Sequence, residues 1–356
     1  MVFRSVFFTP ALIMGAGFFT LSAAEHQPRR GAASTSGICS ATLPDGRSFI
    51  TGGGRIDAPL NSAHFFEKDR VIHPAASMLA PRAWHVCAAL PDGSILVAGG
   101  SSGPGGATNA AEKYQPTTNT WTTTGSMLTA RTNAAAILMN DNQVLIAGGE
   151  TFGEIANTLE IYDPVAGRFR MAHGILSSPR ENHAIAVLAD GRVLIGGGSD
   201  GTRILDTLDI FDPVSEEIRA AGFMAMPRTE FTATTLADGR VILAGGFDGK
   251  NDLATAETYD PVTATSSPLP AMQAPRRHHI AIRPPGAKNV LFAGGTSNGR
   301  ESVRAEIFDV AINRFVSATE VEPAATAGTA RTVVVATLDP SGEPRKVRVY
   351  QIDSGN

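Results

Sequence analysis

Six arginines recur at one place in a repeated pattern: Arg82, Arg131, Arg180, Arg228, Arg276 and Arg331. A guanidinium fork can bond a carboxylate or phosphate through two parallel N–H donors. A ring of such forks would hold an anionic ligand. Acids recur just as regularly, at Glu112, Glu160, Asp209, Glu257 and Glu306. Arginine-to-acid pairs that staple neighbouring units are therefore the competing use, and presence in nearly every unit favours it. His85, His183 and His279 each stand three residues after an arginine. They form no cluster at metal-ligand spacing, so they read as strand residues and no metal is expected. Asp200 and Asp248 sit in GSDG and GFDG loops. One acid per loop falls short of the oxygen cage that calcium needs, so both read as turn residues. No Ser-His-Asp or Cys-His set stands out.

The elements that carry these residues are copies of one unit, clearest from Arg180 to Met224. An apolar run ending in paired glycines recurs as FITGGG, ILVAGG, VLIAGG, VLIGGG, VILAGG and VLFAGG. An aromatic recurs at Phe66, Tyr114, Tyr162, Phe211, Tyr259 and Phe308, spaced by 48 or 49 residues. Seven residues later stands a second bulky group in three copies, Trp121, Phe169 and Phe315. Within a unit, a mostly apolar stretch such as HAIAVL meets a LADG or LPDG turn. Asp-Gly takes the positive φ angles of a tight hairpin. The second apolar run does not alternate, so it is buried on both faces. A third strand carries the aromatic, and a turn at Asp-Pro leads to a polar fourth strand. Four antiparallel strands in a unit of this length make one propeller blade. The paired glycines let neighbouring backbones approach where the blades converge.

This series of Arg, Gly-Gly, Tyr-Asp-Pro and Trp resembles the kelch repeat over roughly residues 35 to the 320s. Copy one departs from it, with Thr35 in the arginine place and His73 in that of the late aromatic. Copies four and five carry Ile218 and Ser266 there, and copy six has Asp309-Val310 for Asp-Pro. The fold expected is all-β: a kelch-type β-propeller of six complete four-stranded blades plus a C-terminal two-stranded half blade. Arg331, TVVVATL, DPSG and KVRVYQI repeat the first half of a unit. With the first strand innermost, they form the inner half of a seventh blade; the rival is a six-bladed ring with this hairpin packed outside.

Residues 1–24 read as a signal peptide. One basic residue, Arg4, precedes an apolar run to Leu21, and Ser22-Ala23-Ala24 offers small residues for cleavage. Residues 25–34 read as a polar lead-in, and residues 35–356 as a single propeller. Export to a secreted or periplasmic location follows, with no membrane insertion after cleavage. The formal charge of −4 supplies no basic field for nucleic acid. Export also permits a disulfide. Aligning the turns that follow Cys39 and Cys87 puts Cys87 one residue further along its strand. Successive strand residues point to opposite faces, and adjacent blades meet through opposite faces. The thiols therefore either face each other or look directly away. The outcomes are a disulfide or two buried free thiols.

Kelch proteins commonly bind at the propeller mouth, so the resemblance implies an anionic protein, peptide or glycan held there by the repeat arginines. Exported kelch propellers also resemble the central domain of the galactose oxidase family. That family's copper is held by tyrosines and histidines, with one tyrosine linked to a cysteine. Here Tyr114, Tyr162 and Tyr259 are the packing aromatics, Tyr350 is near the C-terminus, and both cysteines lie in the first two units. No residue carries over, so neither copper nor another cofactor is expected. The expected function is an exported, non-catalytic binding scaffold. The alternative is a metal-free carbohydrate-active enzyme, an isomerase or lyase, using the same mouth.

Overall fold

The computed structural model describes residues 18–21, 37–42, 48–55, 57–66, 72–283, 286–302, 304–320, 331–338 and 344–353. The lead-in, Thr35 and most of the expected signal peptide lie outside them. The landmarks of each unit become one antiparallel sheet. In the third blade Ala135–Leu138, Val144–Ala147, Thr158–Asp163 and Arg168–Ile175 lie side by side in chain order. Five more four-stranded sheets repeat this order, at 38–74, 86–123, 184–223, 232–269 and 280–317. Among the described residues there is no helix, hence none long and apolar enough to cross a membrane.

The first hairpin closes as its turn residues require. Gly191 takes φ +89° and donates its N–H to the Leu188 carbonyl at 3.0 Å. Asp190 accepts from the Arg192 N–H at 3.1 Å, which braces the turn. The second strands are buried on both faces: every residue of Ile95–Ala98, Val144–Ala147 and Val241–Ala244 is at most 1% exposed. Burying each Val, Leu or Ile contributes about 1.5–3 kcal/mol. These strands are the core, and each blade clamps them against its neighbours.

The aromatic landmarks pair across the third and fourth strands. Tyr114 stands opposite Trp121, Tyr162 opposite Phe169 and Phe308 opposite Phe315. Ring centroids are 4.9, 4.7 and 5.1 Å apart in these pairs. Copy one differs from the sequence expectation. Phe66 pairs with Ile72, and His73 faces Phe65, so its third turn is a residue shorter.

The C-terminal hairpin, Arg331–Leu338 with Pro344–Asp353, belongs to a further partial sheet. Tyr350 buries itself with Leu291, Ala293, Ala305 and Ile307 of the sixth blade. Phe18–Leu21 pairs in parallel with Val333–Ala336 on the hairpin's inner side, and Thr319–Glu320 flanks the other edge. Cys39 and Cys87 face each other across blades one and two and are joined as a disulfide, with Cα atoms 5.9 Å apart.

Candidate functional site

The repeat arginines lie inside the blades. Arg82, Arg131, Arg180, Arg228 and Arg276 are at most 1% exposed. Each pairs with the acid on the third strand of its own blade; Arg131 reaches Glu160 at 2.9 Å, Arg228 reaches Glu257 at 3.0 Å. Nη1 of Arg131 donates to the Gly148 and Thr158 carbonyls at 2.7 and 3.0 Å. Its backbone serves the preceding blade. There Gly100 donates to the Arg131 carbonyl at 2.9 Å. The ion pair therefore braces a single blade rather than stapling neighbours as the sequence suggested, and the link to the preceding blade is the Arg131 backbone. A Cβ on Gly99 would stand 2.6 Å from that same carbonyl, so glycine is required there. Burial pulls Arg180, Arg228 and Arg276 downward in pKa, and their acid partners oppose it. The backbone of Arg331 pairs with Asp353; its side chain lies outside what the structure describes.

The mouth is built by the residue two places after each arginine. Trp84, Asn133, Asn182, Glu230 and His278 all take left-handed backbone angles, φ +49° to +57°. Gly37, two places after Thr35, takes φ +78°. This conformation turns each N–H back toward the blade before it. Trp84 donates to the Gly37 carbonyl at 2.8 Å and Asn133 to Trp84 at 3.1 Å. The chain continues from Asn182 to Asn133, Glu230 to Asn182 and His278 to Glu230, at 2.9–3.0 Å. Five backbone bonds therefore link six blades around the axis. Asn tolerates this angle, but Trp, Glu and His hold it at a cost of roughly 1–3 kcal/mol each. With their backbones bonded sideways, their side chains rim a cavity of about 310 Å³.

The polar groups of the rim are connected. The carboxylate of Glu230 meets Nε2 of His278 at 3.0 Å and Nη1 of Arg277 at 3.2 Å. Burial raises the Glu230 pKa, but these two partners win and hold it below the ordinary value. Arg277 also meets Asp252 at 3.0 Å and lies 4.7 Å over the Phe247 ring. Asn133 donates to Glu181 at 3.0 Å. Burial, helped by Glu150 and Glu230, pushes the Glu181 pKa upward despite that bond. The arrangement offers amides, a flat indole and a carboxylate–imidazole pair. Among the described residues no group of three metal ligands exists.

Beneath the rim lie His85, His183 and His279, buried at 6–8% exposure. His85 and His279 bond Thr51 and Thr232 at 2.7 and 3.0 Å. Burial, then the charge of the adjacent arginine, lowers all three, His183 to about 3. Between pH 6.5 and about 3 the unfolded chain therefore binds a proton at residue 183 that the folded chain refuses. Stability is lost as pH falls through that window, by up to about 1.4 kcal/mol per pH unit for each such histidine. Replacing His183 by Phe, the residue at the matching place 231, is expected to flatten the slope. Urea midpoints at pH 7.5, 6 and 5 measure it; parallel slopes would refute the assignment.

Sequence reasoning passed over the rim residues because they do not repeat. The signal was there in part: a fixed place in each unit holds Gly, Trp, Asn, Asn, Glu and His in turn. Variation at a repeated place marks a position freed from the duty of holding the blade.

These observations define a six-bladed propeller with a varied polar mouth, a form suited to binding or scaffolding. The family model of the KLHDC2/KLHL20/DRC7 Kelch-repeats domain matches residues 39–246, more than half the chain. A Kelch motif model matches residues 227–273. The chain belongs to the kelch-repeat family. The solved structure of YjhT is similar, with a TM-score of 0.65 and 15% identity over 80% of this chain and 97% of that one. At that identity the likeness shows the fold alone. No protein of curated function matches the sequence.

Proposed function

We propose that this protein is an exported binding module that holds a hydroxyl-rich ligand, a glycan, in its mouth. One observation carries the reading: Trp84, Asn133, Asn182 and Glu230 converge on a single cavity. An indole face suits the apolar face of a sugar ring, and amides and a carboxylate suit its hydroxyls. The nearby cation, Arg277, is already held by Asp252 and Glu230. Glu181 adds a second carboxylate beside Asn133. This balance disfavours a strongly anionic ligand, which the repeat arginines alone had suggested.

A glycan and acidic-peptide array with the mature protein tests the reading. Binding of neutral glycans is expected, weakened at least about ten-fold by Trp84→Ala. Binding of acidic peptides alone would replace it. Export is tested separately: exported material should begin at Glu25, and an intact Met1 would defeat it. Cleavage there removes Phe18–Leu21 and leaves Val333–Ala336 as the inner edge of the partial sheet.

The Glu230–His278 pair favours a second reading, acid–base catalysis on a bound sugar. Proton NMR of each array-positive sugar, before and after incubation, decides between them. Conversion abolished by Glu230→Gln supports the enzyme; unchanged sugar supports binding alone.

A further inference from the structure

The seams between blades are sealed in one way, and one seam departs from it. His85 lies against Gly52 of the blade before it, and His183, Phe231 and His279 lie against Gly148, Gly197 and Gly245. In each case ring atom Cε1 stands 2.6–2.9 Å from where a Cβ on the glycine would be. A planar ring thus fills the space beside each of these glycines. Between blades two and three the matching residue is Ala134. The atoms nearest to a Cβ on Gly99 are the Arg131 carbonyl, the Met127 methyl and the Thr108 carbonyl, with no ring among them. Met127 matches Met78, Met224 and Met272 at other seams, so the ring is what differs. Ala134 is half-buried where the four ring residues are buried, and like them it lines the mouth cavity.

The walls of this seam are apolar. His85 bonds Thr51, which directly precedes the glycine it covers, and His279 bonds Thr232, on the first strand of the blade it faces. The residues in those two places at the Ala134 seam are Ala98 and Val86, both apolar and buried. His183 has Ala147 and Ala135 in the same places, so a ring needs no hydroxyl to sit at a seam. Phe231 sits at a seam with Gly196 and Ala184 in the same two places, equally without a hydroxyl.

Resting on the mouth reading above, we propose that the gap at Ala134 is a subsite for a planar apolar ring carried by the ligand. It accepts a phenyl-sized group. The hydroxyl-rich part then meets Trp84 and Asn133 on the rim beside it. The subsite lets one seam of the propeller read a ligand where the others read the protein itself.

Phenol is the probe, followed by ligand-detected NMR on the full chain. Phenol is expected to bind the wild type, and Ala134→Phe to weaken it at least about ten-fold. Phe231 shows that the backbone at this place carries a phenyl ring, so A134F should fold with an unchanged or raised Tm. Equal phenol binding by both proteins would overturn the subsite. So would absence of phenol binding to the wild type, or a fall in the Tm of A134F, which would mean that protein atoms already fill the gap. The probe carries no sugar, so failure here leaves the glycan array result standing, and failure of the array leaves this one.

Discussion

Arg131→Ala is expected to lower the free energy of unfolding by about 3–5 kcal/mol. The reason is what remains behind. Glu160 is fully buried, and without the guanidinium its charge keeps only the Leu128 and Thr129 N–H groups, at 2.7 and 3.0 Å. The Gly148 and Thr158 carbonyls lose their donor as well. Removing both partners, as Arg131→Met with Glu160→Leu, should cost much less than the sum of the single changes. Urea denaturation of the single and double variants measures this. A loss below about 1 kcal/mol for Arg131→Ala would mean that the pair does not hold its blade together. Ligand binding at the mouth in the folded fraction should be unchanged, because Arg131 does not line the cavity.

The second large effect is expected from the disulfide. Replacing Cys39 and Cys87 together by alanine should cost about 2–4 kcal/mol, since the bond closes a loop across a sequence separation of 48 residues. It ties blade one, whose repeat is the most degenerate, to blade two. The loss should appear first in blade one, as faster hydrogen exchange in Ile38–Thr42 and Ser48–Gly52. Denatured, unreduced wild-type protein should show no free thiol. Two free thiols per chain, or identical urea midpoints with and without reductant, would rule the crosslink out.

Both effects arise from features visible in the sequence, but to different depths. The arginines and acids were legible as partners because they recur at the same places in nearly every unit. A pairing that seals a blade must be repeated with the blade. The cysteines were legible as a question: strand parity placed them on opposite faces and left two outcomes. Only packing of the blades decided that those faces meet. The chain end was harder. Its pattern ends in mid-unit, and the partner on its inner side comes from Phe18–Leu21, a pairing between chain ends that no local period encodes.

The sequence by itself therefore determined the blade. Its period, its Asp-Gly turns, its doubly buried second strands and its glycine pairs all follow from residue types at fixed spacing, because each is a local requirement met again in every copy. The mouth was decided by tertiary structure. Trp84, Asn133, Asn182, Glu230 and His278 come from five different blades, and their side chains converge only when the ring closes and left-handed backbones bond one blade to the next. Likewise, Ala134 is an ordinary small residue in the sequence. It becomes a gap only because, around the axis, its counterparts His85, His183, Phe231 and His279 each place a ring against the blade before.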